Sequence, residues 1–386
     1  MGTKRFYGRA IARLCARWAA VIGVASALAG CTHTTVGAPV IPTSSTSPIS
    51  PSASVAVTPQ PVVPPKPHGP LGGYLLIADR GNNRMLLVDG AKHILWQYPH
   101  RGTTPSMPFS FDDDTFFTPD RTAIISNQED QETIQVISFP KGKVLWHYGH
   151  VNVSGSAPGY LQTPDDAYML RDGTVTVADI SNCRVLFINP KGRITKQYGT
   201  TNVCRHDPPR YLALPNGDTP MPNGGTLVTE ITGSWIDAIG PDGKLMWAVK
   251  APIAYPSDAQ WLGHGRVLVA DYSTPGHVLI MDRTGQVEWR YGPTSGPGEL
   301  RQPSLALMLP NGLVAVNDDY RHRVVLIDPR TDRIVWQYGH TDAAGSSPGY
   351  LFKPDGMDFL SYHDVVSTPS LRKYFLHVLG TAKPSG

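Results

Sequence analysis

One phrase recurs along this chain, and self-similarity at a steady interval constrains a fold more tightly than composition does. Six segments share an anchor position: His93-Ile-Leu-Trp-Gln-Tyr98, Lys143-Val-Leu-Trp-His-Tyr148, Arg193-Ile-Thr-Lys-Gln-Tyr198, Lys244-Leu-Met-Trp-Ala-Val249, Gln286-Val-Glu-Trp-Arg-Tyr291 and Arg333-Ile-Val-Trp-Gln-Tyr338. The anchors Trp96, Trp146, Lys196, Trp247, Trp289 and Trp336 stand 50, 50, 51, 42 and 47 residues apart. That interval suits a unit of four short strands. The preceding segment repeats as well, as Arg84-Met-Leu-Leu-Val-Asp89, Arg184-Val-Leu-Phe-Ile-Asn189, Val278-Leu-Ile-Met-Asp282 and Arg323-Val-Val-Leu-Ile-Asp328. Apolar runs bounded by Asp, Asn, Gly and Pro read as buried strands, and helical spacing is essentially absent from the body. The pattern predicts an all-β fold, a six-bladed β-propeller.

Later units open on a Pro-led strand, as in Thr163-Pro-Asp-Asp-Ala-Tyr-Met-Leu170, Tyr255-Pro-Ser-Asp-Ala-Gln-Trp-Leu262 and Gln302-Pro-Ser-Leu-Ala-Leu-Met-Leu309. The first unit lacks this strand, and the C-terminal region supplies a surplus one, Lys353-Pro-Asp-Gly-Met-Asp-Phe-Leu360. Returned to blade one as its innermost strand, Met357 to Leu360 would close the ring and remove two open edges. The propeller is expected over residues 71–375, with a C-terminal tail over 376–386.

The phrase Pro-Asp…Gly…Val-Ala-Asp…Asn…Arg-Val, clearest from Pro164 to Ile188, resembles the NHL repeat. Asp328-Pro-Arg-Thr-Asp-Arg-Ile-Val-Trp336 resembles the tryptophan-docking repeat of quinoprotein-type propellers and bacterial arylsulfotransferases. These resemblances imply a fold and not an activity, because propellers carry many unrelated functions. Quinoprotein propellers usually have more than six blades, which argues against bound pyrroloquinoline quinone.

The N-terminus reads as an export signal. Lys4, Arg5, Arg9, Arg13 and Arg17 precede the apolar run Trp18 to Ala29, which is short for a membrane span. Leu28-Ala29-Gly30-Cys31 resembles the bacterial lipobox. The resemblance implies a signal peptide over residues 1–30 and a lipid, palmitate among its chains, on Cys31. It places the protein on the extracytoplasmic side of the cell membrane, anchored by that lipid. Residues 31–70 are rich in Thr, Ser, Pro and Val and have no acid, the composition of a disordered tether. The formal charge of +3 falls to −2 once the five basic residues of 1–30 are removed. No basic excess then remains for nucleic acid.

Aligning the repeats predicts which residues meet at the channel mouth. The innermost strands contribute Asp113, Asp114, Asp165, Asp166, Asn216, Asp218, Ser257, Asp258, Ser304 and Asp355. The second strands end in Asp79, Asn127, Asp179, Glu230, Asp271 and Asp318. A ring of oxygens suits a hard cation such as calcium, or orients a ligand; Asp113 and Asp165 are the metal candidates, since doubled acids fall on neighbouring blades. The competing reading is that Asp near a strand end bonds local amides and fixes a turn. Arg84, Arg184 and Arg323, five residues after their acids, are expected to clamp blades. His100, His150 and His340 follow the Tyr-containing strand ends and should lie apart at the rim. Gly345-Ser-Ser-Pro-Gly349 has the letters of a hydrolase elbow but not its strand-turn-helix context. Cys183 and Cys204, in neighbouring loops of an exported chain, are expected to pair, closing a loop worth about 3 kcal/mol.

Two functions are compatible with these features. One is a binding or scaffold module for a small molecule, glycan or protein. The other is a propeller enzyme of arylsulfotransferase, lyase or lactonase kind, with a metal or histidine at the mouth; no catalytic residue is assigned.

Overall fold

The computed structural model describes residues 62–380. The expected signal peptide, Cys31 and the tether up to residue 61 lie outside the described residues. Six four-stranded antiparallel sheets form a six-bladed β-propeller. Blade one combines Met357–Ser361, innermost, with Gly73–Asp79, Arg84–Asp89 and Ile94–Tyr98. The surplus C-terminal strand therefore closes the ring, with Leu75 opposite Phe359 and Ile77 opposite Met357. The innermost strands of blades two to five are Asp112–Phe117, Pro164–Met169, Pro215–Pro220 and Pro256–Gly263, and that of blade six is Ala306–Met308.

Burial follows position along the blade radius. Second and third strands are covered on both faces by neighbouring blades, so their apolar residues run on without alternation. All seven residues of Gly73–Asp79 and all six of Arg323–Asp328 are buried. Outermost strands meet solvent on one side and alternate, as in Ile194–Tyr198. Innermost strands carry the acids, because six of them surround a channel where polar groups find each other.

The anchors dock blade to blade. The indole Nε1 of Trp96 donates to the Pro140 carbonyl of blade two at 2.8 Å, and that of Trp336 to the Gly90 carbonyl of blade one at 2.9 Å. Trp289 donates to Asp332 of blade six at 2.9 Å. In blade three the place is taken by Lys196, whose Nζ lies 4.5 Å from the ring centres of Phe187 and Tyr198.

The region after the closing strand is helical, a feature the repeat pattern did not announce. Ser361 caps helix α1 (Tyr362–Ser367), its hydroxyl accepting from the Asp364 amide. Pro369 opens helix α2 (Pro369–Leu379). Phe375 is buried 4.4 Å from the ring of Tyr74, and the Tyr374 hydroxyl donates to the Leu95 carbonyl. Helix α2 thus covers blades one and two beside the closing strand, and the boundary expected at residue 375 falls inside it.

The arginine clamps are present and buried. Arg84, Arg184 and Arg323 each donate from Nε to their strand-end acids Asp79, Asp179 and Asp318 at 2.7 Å. Their remaining nitrogens reach the carbonyls of the loop arriving from the previous blade: Ser346 and Tyr350, Ser156 and Tyr160, and Glu299. Removing one partner of a buried pair strands the other charge. Arg323→Met is therefore expected to lower stability by about 3–5 kcal/mol, read as a fall in the urea midpoint. The exposed pair partner Arg330, replaced in the same way, should leave the midpoint unchanged.

Candidate functional site

The site is built from equivalent positions on successive innermost strands. Asp112, Pro164, Pro215 and Pro256 pair with the last residues of their second strands, Gln128, Asp179, Glu230 and Asp271. The next residue along each strand forms an upper ring: Asp113, Asp165, Asn216, Ser257, Ser304 and Asp355. One step further lies a lower ring of Asp114, Asp166, Gly217, Asp258, Leu305 and Gly356. The two glycines are required by space. A Cβ at Gly217 would stand 2.5 Å from Asp258 Oδ1, and one at Gly356 would stand 2.4 Å from the Asp114 backbone.

In the upper ring Asn216 donates to Asp165 at 2.6 Å and accepts from the Tyr255 hydroxyl at 2.7 Å. Arg80 ion-pairs with Asp113 and Glu129, and with Asp355 at 2.7 Å. Oxygens of Asp114, Asp166 and Asp258 in the lower ring lie within 4.8 Å of one another, as do those of Asp114 with Asp113 and Asp165 of the upper ring. Asp114 Oδ1, Asp166 Oδ1 and Asp258 Oδ1 are buried without a hydrogen-bond partner. Asp218, one residue deeper, is fully buried, and its amide donates to Asp166 at 3.2 Å. Burial first, then neighbouring carboxylates, push Asp114, Asp166 and Asp258 well above the usual carboxylate range. Asp113 is also raised by burial, against the opposing pull of Arg80.

The candidate residues Asp113, Asp114, Asp165, Asn216 and Asp355 line one small cavity of about 80 Å³ together with Arg80, Glu129, Tyr255, Ser257, Tyr272 and Ser304. The candidates Asp166, Asp218 and Asp258 are buried and do not line it. A wider cavity of about 350 Å³ shares Arg80, Glu129, Tyr272 and Asp355 with it and adds Phe111, Tyr320 and Phe352. A larger cavity, about 520 Å³, lies along the outer strands of blades one and two with Trp96, His100 and Tyr374, and no carboxylate lines it.

The strand-end acids behave differently from the inner ones. Asp79, Asp179 and Asp318 accept the amides of Phe352, Gln162 and Arg301 with their second oxygens. They fix turns and do not open on the cavity. In blade two the corresponding residue is Gln128, paired with Thr133, and Asn127 faces inward to accept the Asp114 amide. The expected strand end at Asn127 is thus one residue early, a slip that reverses the face.

Sequence reasoning did not single out Arg80, Glu129, Tyr272 or Asp319. All four directly follow a second-strand end, at a position where blades three and four carry Ile180 and Ile231. A position that varies among otherwise repeated units was the available signal. His150 and His340 pack on Tyr160 and Tyr350 in the turns between blades, away from the mouth lining. Cys183 and Cys204 are disulfide-bonded, with Cα atoms 5.2 Å apart.

Blade four carries a second cluster. Glu230 and Asp237 are fully buried, with His206 Nδ1 at 3.0 Å from Glu230 and 3.9 Å from Asp237. Burial pushes Glu230 up to about 9 and Asp237 to about 7.

These features define a six-bladed β-propeller. The family model described as outer membrane protein assembly factor BamB matches residues 201–353. No curated protein matches the chain. A Bacteroides caccae protein of unknown function is similar in structure, 19% identical, with a TM-score of 0.53 over 75% of this chain and 98% of that one. A streptogramin B lyase structure is 15% identical, with a TM-score of 0.50 over 78% of this chain and 95% of that one. At such identities the likeness is one of fold.

A pH dependence follows from the raised carboxylates. An acid whose pKa is raised by folding favours the folded state while protonated. That contribution is complete below its unfolded value and is lost as pH rises through the folded one. For Asp237 and Glu230 the loss runs through about 7 and about 9. The melting temperature of chelator-treated protein should therefore fall from about pH 5 to about pH 9, and Asp237→Asn should flatten the fall. A melting temperature that climbs across this range would contradict the assignment.

Proposed function

We propose that this protein is a binding module held on the extracytoplasmic face of the cell membrane by lipid on Cys31, and that its propeller mouth takes a small molecule above a bound hard divalent cation. The observation that supports this reading best is the lower ring. Three buried carboxylates, Asp114, Asp166 and Asp258, bring oxygens within 4.8 Å of one another, and each has an oxygen with no hydrogen-bond partner. Buried like charges at such range repel unless protonated or neutralised by a cation. The donors are all oxygens, which favours calcium over a softer ion.

Above the ring, among the described residues, Arg80 is the one cation lining the small cavity, beside Asp113, Glu129 and Asp355. Phe111, Tyr272, Tyr320 and Phe352 supply aromatic surface around the wider cavity. Aromatic walls with a few convergent polar groups suit a small organic ligand or a sugar. The enzymatic alternative in its histidine form loses support, since carboxylates, tyrosines and an arginine line the mouth. Its metal form uses the same residues and differs in whether the ligand is turned over.

Calorimetric titration of the chelator-treated full-length chain with calcium should give a saturable site. Asp114→Asn with Asp166→Asn should weaken it at least about tenfold. Calcium binding that is indifferent to this pair of substitutions would sink the cation reading. Anchoring is tested separately. Cys31→Ser should move the protein from the membrane fraction to the soluble one and abolish labelling by a clickable palmitate analogue. Continued labelling would refute lipidation at that thiol.

A further inference from the structure

The clamp that fastens a blade to the loop arriving before it needs a positive partner for the buried strand-end acid. Blades one, three and six use Arg84, Arg184 and Arg323. Blade five uses an imidazole, His277, at 3.1 Å from Asp271. Blade four departs from the pattern twice. The residue paired with its strand-end acid Glu230 is Trp235, and a second acid, Asp237, stands where other third strands place Leu86, Leu186, Leu279 and Val325.

Neither acid has an arginine or lysine partner within ion-pair distance among the described residues. Glu230 Oε1 and both oxygens of Asp237 are buried without any hydrogen-bond partner. The side chain facing them is His206, delivered by the loop from blade three. Its ring stacks on the Trp235 indole with centroids 3.9 Å apart and planes 2° apart. The loop is held two residues earlier by the Cys183–Cys204 disulfide. Lys250 lies over the Trp235 ring at 5.1 Å. One nitrogen and two carboxylate oxygens lie within 4.8 Å of one another.

We infer that His206, Glu230 and Asp237 form a binding site for a first-row transition-metal ion of the zinc class, which replaces the arginine as the positive partner of the clamp. Donors about 2.1 Å from a tetrahedral ion stand about 3.4 Å apart. The 3.0 and 3.9 Å separations from His206 bracket that spacing. A mixed nitrogen and oxygen set favours such an ion over calcium. The His206 side chain is 22% exposed, which leaves a path for the ion and a position for water. The role is structural: the ion ties the disulfide-held loop to the third strand of blade four.

The test uses tag-free full-length protein, stripped with chelator and saturated with calcium so that the central ring does not compete. Zinc is then titrated by calorimetry, with cobalt as a visible-absorption probe of the ligand set. One equivalent should bind and raise the melting temperature. His206→Ala and Asp237→Asn should each weaken binding at least about tenfold, while Asp114→Asn with Asp166→Asn should retain it. Reducing the disulfide should also weaken it. Asp237→Asn removes a buried charge, so it is expected to fold even if His206→Ala does not. The inference is overturned if calcium-saturated protein binds no zinc, or if Asp237→Asn binds it as tightly as the parent chain.

Discussion

Blades one, three and six are each tied to the blade before them by a buried charge pair. An acid at the end of a second strand holds an arginine five residues on, and that arginine gathers the carbonyls of the incoming loop. Burial raises Asp79, Asp179 and Asp318 even against their guanidinium partners, Asp318 to about 6. Such pairs are expensive to desolvate, and their strength lies in specifying one arrangement of loops over others. The loops so fixed begin the innermost strands, so the clamps determine where the channel acids stand. The same logic makes blade four, with two acids and no arginine, the place where the ring needs something else.

Radial position turns one repeated sequence into three chemistries. Outermost strands carry the tryptophans that dock into the next blade's turn. Middle strands are apolar on both faces. Innermost strands crowd around an axis, where side chains from neighbouring blades come within hydrogen-bonding range of each other. Gly217 and Gly356 leave space there that Asp258 and Asp114 fill. Carboxylates harmless on an isolated strand are crowded together at the axis, where burial and their mutual repulsion raise their pKa values.

The repeat was legible because it obeys local rules. Anchors at a steady interval, apolar runs and turn residues announced four strands per blade, and the surplus strand at Met357 announced the closure. The upper and lower rings could be aligned from Pro-Asp and its variants. The helices after Ser361 were not legible, because helix α2 carries only two fully buried positions, Leu371 and Phe375, against Tyr74 and its neighbours. Arg80 and Glu129 also escaped notice. Their importance lies in reaching across to Asp355 and to each other from different blades, a relation no linear spacing encodes.

The amino-acid sequence by itself determined the all-β class, the number of blades, the strand that closes them and the residues that would face the axis. It did so because strand period and turn chemistry are local properties. Only the tertiary structure decided which acids are fastened by arginine, which are left with unpartnered oxygens, and that His206 meets Glu230 and Asp237. Those outcomes depend on distances between chain segments far apart in sequence, and burial makes the distances matter by removing the water that would otherwise screen each charge.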